Sequence, residues 1–395
     1  MGVMEGGGAG WFLAHWMTHG APPMDALAID PRRFGAWADR DYRVEKAIEC
    51  FGLQFGVHYP HEERPAARGK RLSPIHVQMI EAGAVMGSAY GWERPNWFSD
   101  KKADEARPSF RRSNWFEAVA RECEVVTTSV GLGDMSVFAK FEISGPDTEK
   151  FLDTLGANTA PEPGRIGLTH ALTPAGGTQA EFTVTRLAAE QAYLTSAAAA
   201  EEMDSDLLQA HSSRYDVVVK CVSDDWGVLG VMGPKSRQLL QTLTDADLDY
   251  DFAWLSAREI TVATVPVRAL RVSYIGESGW ELHAENEHMP ALFDALVNAG
   301  KPLGLGFFGA YAMNAMRLEK GYRAWGSDFT TERTPAETGA GFLIKPEGRS
   351  FTGKDALLAR MASDERWEMV LMELKTQDVD PFYSHPVMHL SLIHI

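Results

Sequence analysis

Cysteine is scarce in this 395-residue chain: Cys50, Cys123 and Cys221 are far apart, odd in number and form no CxxC pair. That excludes a disulfide framework and a zinc site built on cysteine pairs, and a reducing compartment, the cytoplasm, is the default setting. Positive charge is also short. Lys and Arg total 38 against 54 Asp and Glu, a formal net charge of −16. A nucleic-acid or acidic-membrane partner needs a basic face, so neither is expected. No apolar run approaches the roughly 18–20 residues that span a bilayer. No Lys or Arg precedes Arg32, so the charge of a signal peptide or mitochondrial presequence is missing too. GxSxG is absent, which removes the usual starting point for acyl transfer.

What is present is an ordinary globular composition, 45% hydrophobic with 36 Gly and 20 Pro, and at about 150 residues per domain a length for two or three domains. Gly6, Gly7, Gly8 and Gly10 lead into the apolar stretch Trp11–Met17. A glycine turn feeding a helix N-terminus suits an anion or a flavin edge, and a flexible leader is the alternative. Phe138–Ile143 is strand-like, Ser144-Gly145-Pro146-Asp147 turns, and a helix follows near Thr148–Leu155. The unit recurs as strand Trp226–Val231, turn Gly233-Pro234 and helix Lys235–Leu243. Val267–Tyr274 and Trp280–Ala284 are expected strands of one hairpin, and Ala310–Lys320 a helix. Strands and helices without strict βαβ alternation indicate α+β, with a hint of paired halves.

Several motifs fail on context. Gly304-Leu305-Gly306-Phe307-Phe308-Gly309 matches GxGxxG but follows a helical stretch, so a turn between helices is expected. In His58-Tyr59-Pro60-His61 the proline breaks metal-binding geometry, and no metal site is expected. Gly348 to Gly353-Lys354 has P-loop spacing, but Asp355 stands where Ser or Thr binds magnesium. Other residues hold more chemistry. After Gly176-Gly177, the alternation in Glu181–Leu187 puts Phe182 and Val184 on one face and Glu181, Thr183 and Thr185 on the other. Glu181 either lines a pocket or sits on a solvated face. Arg317 borders an apolar stripe and needs an anionic or multiple-acceptor partner, with Glu319, Glu281 or a ligand as candidates. Tyr274 and Glu281 flank one loop and together suit a heteroaromatic ring whose edge offers two donors.

Taken together, the segments Val130-Gly131-Leu132-Gly133-Asp134-Met135-Ser136, Gly176-Gly177 to Thr185, Met232-Gly233-Pro234, Tyr274 to Glu281 and Arg317-Leu318-Glu319 carry a resemblance. Trp115 to Gly353 resembles the tetrahydrofolate-dependent aminomethyltransferases, the T-proteins of glycine cleavage. Gly6–Gly10, Asp30–Phe34, Gly91–Pro95 and Arg317–Asp328 resemble the flavin-dependent dimethylglycine and sarcosine dehydrogenases. That resemblance implies a division into residues 1–30, the end of an FAD-binding domain; 31–112, a central oxidoreductase domain and linker; 113–362, a folate-binding aminomethyltransferase-type domain; and 363–395, the start of a truncated C-terminal β-barrel. It implies tetrahydrofolate and an N-methylated amine as small-molecule partners, FAD in the full-length protein, and capture of the one-carbon unit as 5,10-methylene-tetrahydrofolate. Glu181 is implied as the catalytic acid, and Tyr274, Glu281, Arg317 and Thr185 as folate contacts. Gly6, Gly7 and Gly8 would be a remnant of the flavin site. The alternatives are a stand-alone aminomethyltransferase or demethylase of the same fold, and a non-catalytic folate-binding fragment. In a eukaryote whose presequence is missing, the location would be the mitochondrial matrix. Two departures stand out: T-proteins commonly carry Asp where Glu181 stands, and their tyrosines near Leu168 and Thr185 are absent.

Overall fold

Two glycines, Gly145 and Gly233, set the frame of the fold. Each ends a strand, turns the chain at a positive φ (144° and 118°) and starts a short helix. A Cβ at Gly145 would lie 2.3 Å from the Asp216 carbonyl oxygen, and one at Gly233 2.4 Å from that of Val126. Neither backbone can retreat, so only glycine fits either turn. The computed structural model describes residues 3–101, 104–249, 252–364 and 367–379.

In chain order the first elements are α1 (Gly6–His19), α2 (Arg40–Gly52), α3 (His76–Glu81), β1 (Ala84–Ala89), β2 (Trp92–Phe98), α4 (Phe116–Thr128), β3 (Val130–Asp134), β4 (Ala139–Ser144), α5 (Thr148–Leu155), β5 (Ile166–Leu172), β6 (Thr178–Ala188), β7 (Gln191–Ser196) and α6 (Glu201–Ser212). There follow β8 (Val218–Cys221), β9 (Trp226–Met232), α7 (Ser236–Gln241), β10 (Ala257–Val262), β11 (Val265–Leu270), β12 (Gly279–Glu285), α8 (Met289–Gly300), β13 (Leu305–Phe307), α9 (Ala310–Glu319) and α10 (Lys354–Met361).

The paired halves are real. One sheet has the order β5-β6-β7-β4-β8 and another β10-β11-β12-β9-β3-β13. Each half is a strand, a Gly-Pro turn, a short helix, a three-stranded antiparallel meander and a longer helix. The strands preceding the two units are exchanged, so β8 lies beside β4 and β3 beside β9. That exchange explains the glycines: Gly145 presses on the chain entering β8, and Gly233 on the chain entering β3.

Strand alternation then divides the faces. Phe141, Ile143, Phe182 and Val184 pack with Phe151, Leu152 and Leu155 of α5 in one core. Leu229, Val231, Trp280 and Leu282 pack with Leu292 and Leu296 of α8 in another. Each such side chain contributes about 1.5–3 kcal/mol of burial. The opposite, polar faces meet one another: the Tyr193 hydroxyl on β7 lies 3.0 Å from Nδ1 of His283 on β12.

Several expectations need correction. Gly6, Gly7 and Gly8 lie inside α1, not in a turn; glycine reaches φ > 0 easily but does not require it, and first-turn N–H groups need no intrahelical acceptor. Tyr274 lies in the loop 271–278, because β11 pairs with β12 over only Arg268, Ala269 and Leu270. The expected β11–β12 hairpin does form, with a longer loop, and a second hairpin, β10–β11, closes at Ala263, φ 55°. The GxGxxG segment holds β13, which pairs in parallel with β3. Lys354 donates to the carbonyls of Pro346 and Arg349, a local tie. β1 and β2, a hairpin turned at Tyr90-Gly91 (φ 51° and 84°), also escaped the sequence reading. Ile75 and Met79 share the core of the second sheet, with Ala84 and Phe98 against it. No strand occurs in the described part of 363–395, and residues 380–395 of the expected barrel lie outside the described residues. Among the described residues no helix is long and apolar enough to cross a membrane.

One carboxylate ties these parts together. Glu122 on α4 accepts from the backbone N–H of Phe98 (2.6 Å) and of Gly309 (2.8 Å). Burial pushes its carboxyl up to about 7, the two backbone donors opposing. The folded state therefore holds this proton more tightly than the unfolded chain does. Its contribution is fully present below pH ~4.5 and declines as pH rises to ~7, by roughly 3 kcal/mol at 1.36 kcal/mol per unit. Chemical denaturation at pH 5 and pH 7 should show about 2 kcal/mol of that fall in the native chain and a smaller one in Glu122→Gln; equal falls would refute it.

Candidate functional site

The glycine pair at 176–177 exists for a crossing of chains. A Cβ on Gly177 would lie 1.7 Å from the Thr331 carbonyl oxygen, and Gly176 has φ 82° beside the backbone of Leu357. The loop 321–333 is thereby stitched over the start of β6, with Trp325 Nε1 donating to the Thr178 carbonyl (3.2 Å) and the Thr178 N–H to that of Arg333 (2.8 Å). Beneath it, β6 presents Glu181. Directly opposite on β5 is His170, whose Nε2 is 2.7 Å from Glu181 Oε2. The His170 ring is fully buried and lies 5.7 Å from the Phe329 ring, while the Glu181 side chain keeps 23% exposure.

Tyr274 stands in the same neighbourhood. Burial pushes its phenol up to about 12; Arg317 opposes that rise, and the charges of Glu181 and Asp328 add to it. Its hydroxyl donates to the Arg323 carbonyl at 3.4 Å. Arg317 on α9 is 3% exposed, and its nitrogens are committed within the protein. Nε (2.9 Å) and Nη2 (2.7 Å) donate to Asn314 Oδ1, and Nη1 to the Tyr322 carbonyl (3.0 Å) and to Asp328. Asp328 also accepts from the Ala324 N–H at 2.9 Å. The partner is neither Glu319 nor Glu281 but an aspartate in the covering loop.

Glu281 lies on the polar face of the second sheet, 3.4 Å from Nε2 of His283, which in turn meets Tyr193. Burial lowers the pKa of His283, with Glu281 opposing, and burial raises that of Tyr193. Arg268 stacks between the rings of Tyr193 (4.4 Å) and Trp226 (4.5 Å). Thr185, opposite Tyr193 in the ladder, is 1% exposed, and its Oγ1 has no hydrogen-bond partner among the described residues. The structure thus brings Glu181, Tyr274 and Arg317 near one another by the covering loop, and Thr185 and Glu281 to the Tyr193–His283 contact. Gly6–Gly8 are far from this in the chain and exposed. His170, His283, Tyr193 and Asp328 escaped the sequence reading. Only His283 had a signal, its i, i+2 spacing from Glu281.

Residues 75–348 match the GCVT N-terminal domain, and residues 19–73 match the FAD dependent oxidoreductase central domain. The chain belongs to the GCVT N-terminal domain family. Mitochondrial dimethylglycine dehydrogenase of Homo sapiens is 41% identical over 386 residues, which cover 96% of this chain and 44% of that protein. Aminomethyltransferase of Thermotoga maritima is 30% identical over 77% of this chain and 78% of its own length. The crystal structure of glycine cleavage system aminomethyltransferase T from Bartonella henselae superposes with a TM-score of 0.64 at 21% identity over 74% of each chain, which establishes a shared fold. The resemblance expected from the motifs is borne out. The chain spans less than half the length of the dimethylglycine dehydrogenase it matches. The change of family falls where Ile75 enters the core of the second sheet.

Proposed function

We propose that this chain is the folate-side portion of an N-methylamine dehydrogenase or oxidase, with tetrahydrofolate bound between the polar faces of the two sheets. The observation that carries the reading is the gathering of Glu181, Tyr274 and Arg317 under one covering loop. The match to an oxidoreductase central domain over 19–73 supports it over a stand-alone aminomethyltransferase. A division near residue 74, later than 30 and earlier than 112, fits the packing best. The dimethylglycine dehydrogenase name supports a mitochondrial matrix location in a eukaryotic host.

The residues suit a folate. Thr185 Oγ1 is buried without a hydrogen-bond partner among the described residues, and Glu281 Oε2 lies 3.4 Å from Nε2 of His283. A pterin edge offers the N–H and amino donors that a carboxylate takes up. Glu181 would accept the proton lost by the folate amine as its nitrogen bonds to the iminium carbon, and its charge would stabilise that cation. The C=N electron pair passes to the amine nitrogen, giving an aminal; the proton held by Glu181 then passes to that nitrogen, the second folate nitrogen displaces it as the free amine, and the proton this second nitrogen loses returns to Glu181. Arg317 is proposed as a positioning residue for the loop, since its donors are already engaged. The described residues do not build a flavin cradle: Gly6–Gly8 are helical, and a Cβ on Gly309 would lie 2.4 Å from the Asn96 carbonyl. No step here is assigned to a flavin.

Calorimetric titration of the chain with tetrahydrofolate tests the reading. Glu281→Ala should weaken binding by about 1.5–3 kcal/mol, roughly 10- to 100-fold in Kd, the range for charge-assisted hydrogen bonds. Absence of any binding at millimolar ligand would overturn the function, and an unchanged Kd in Glu281→Ala would overturn that contact.

A further inference from the structure

His170 carries chemistry of its own. Its ring is 0% exposed, Nε2 lies 2.7 Å from Glu181 Oε2, and Nδ1 is buried with no hydrogen-bond partner among the described residues. A contact of 2.7 Å between a ring nitrogen and a carboxylate oxygen requires one proton between them. Three protonation states supply it: a neutral imidazole with its proton on Nε2, an imidazolium, or a protonated Glu181 donating to a bare Nε2. The last two place a proton on Nδ1: an imidazolium carries both N–H groups, and a neutral ring with a bare Nε2 carries its one N–H there. An N–H there would be a buried donor without an acceptor, which folded proteins avoid more strictly than an unused acceptor. The Nε2–H tautomer leaves only a lone pair at Nδ1.

We propose that His170 is a neutral, single-tautomer positioning residue: Nε2–H donates to Oε2 of Glu181 and leaves Oε1 as the one oxygen open to the ligand. The β5–β6 register holds the pair directly opposite each other, and Phe329 of the covering loop packs near the ring. The carboxylate is therefore fixed in rotation before any ligand enters. This rests on the acid–base reading of Glu181 given above.

The test begins with the full chain labelled with ¹⁵N-histidine, the His170 signals being assigned among the 12 histidines by their loss in His170→Gln. Long-range ring correlations should show a protonated Nε2 and a bare Nδ1 across neutral pH. Glu181→Gln should perturb them. A protonated Nδ1 would overturn the proposal. In the complete enzyme, His170→Phe keeps a ring without a donor and should lower the yield of 5,10-methylene-tetrahydrofolate about 10- to 100-fold, the usual scale for lost support of a functional group. His170→Gln, which keeps an N–H donor, should recover most of that yield. Equal losses in both variants would make the role merely structural and overturn the proposal. If Glu181→Gln leaves the yield unchanged, the acid–base reading fails and the positioning role falls with it, while the tautomer, measured without substrate, is decided separately.

Discussion

Glu181→Gln should cut formation of 5,10-methylene-tetrahydrofolate by about 10²–10⁴-fold, the range for loss of a general acid–base group. In the complete enzyme, amine oxidation should continue and formaldehyde should be released instead. The substitution is close to isosteric and its amide oxygen can still accept from His170, so the His170–Glu181 contact survives. What is lost is the negative charge and the ability to take a proton. Thermal stability should therefore change little, which separates this result from a folding defect. Glu181→Asp keeps the charge but pulls the carboxylate back by one methylene, away from a His170 that the β5 backbone holds in place. It should recover only part of the yield. Product analysis after a fixed amount of amine is consumed checks both variants, and an unchanged folate yield in Glu181→Gln would remove Glu181 from the chemistry.

The parts of the site legible in the sequence are those governed by period-two alternation within one strand. Glu181 was found because Phe182 and Val184 mark the buried face of β6, and they do pack in the core. The paired halves were legible because Gly145-Pro146 and Gly233-Pro234 obey the same local rule at both places. His170 was not, because a cross-strand pair depends on register, and the β5–β6 ladder shifts between Ala171 and Leu172, next to the pair. Tyr274 was placed in a strand because Val267–Tyr274 alternates plausibly. Only long-range pairing reveals that β11 leaves its partner after Leu270. The flavin-like glycines show the converse: a Gly run permits a turn but does not demand one, and Gly6–Gly8 entered a helix.

The arrangement of the two sheets explains why the polar residues converge at all. Each meander buries its apolar face under its own helix, α5 in one half and α8 in the other, leaving the two remaining faces to cover one another. Residues on those faces are shielded by the fold and not by apolar neighbours of their own, so charge and hydroxyls survive there. The Tyr193–His283 hydrogen bond, the stacking of Arg268 on Tyr193 and the Arg268–Glu142 contact are among the protein's own contacts across that seam. Thr185 Oγ1, buried beside them without a partner among the described residues, marks where they are incomplete.

Arg317→Ala should destabilise the chain by about 3 kcal/mol, because it removes one partner of a buried, hydrogen-bonded charge pair and leaves the other. At roughly 2–4 °C per kcal/mol for a domain of this size, the midpoint should fall by about 6–12 °C. The loss comes from several acceptors at once: Asn314 Oδ1, the Tyr322 carbonyl and the Asp328 carboxylate all lose their donor. Lysine should not rescue it, since one ammonium cannot match the planar fork that reaches all three. Releasing Asp328 frees the turn at Ala324, and with it Phe329 over His170 and the Arg323 carbonyl that holds Tyr274. Folate affinity should therefore fall together with stability. Asp328→Ala should reproduce most of the effect, and the double variant should lose clearly less than the sum of the two, as expected for partners in direct contact. Melting curves and folate titrations on the three variants decide the matter: an unchanged midpoint with abolished binding in Arg317→Ala would make Arg317 a direct ligand contact and refute the positioning role.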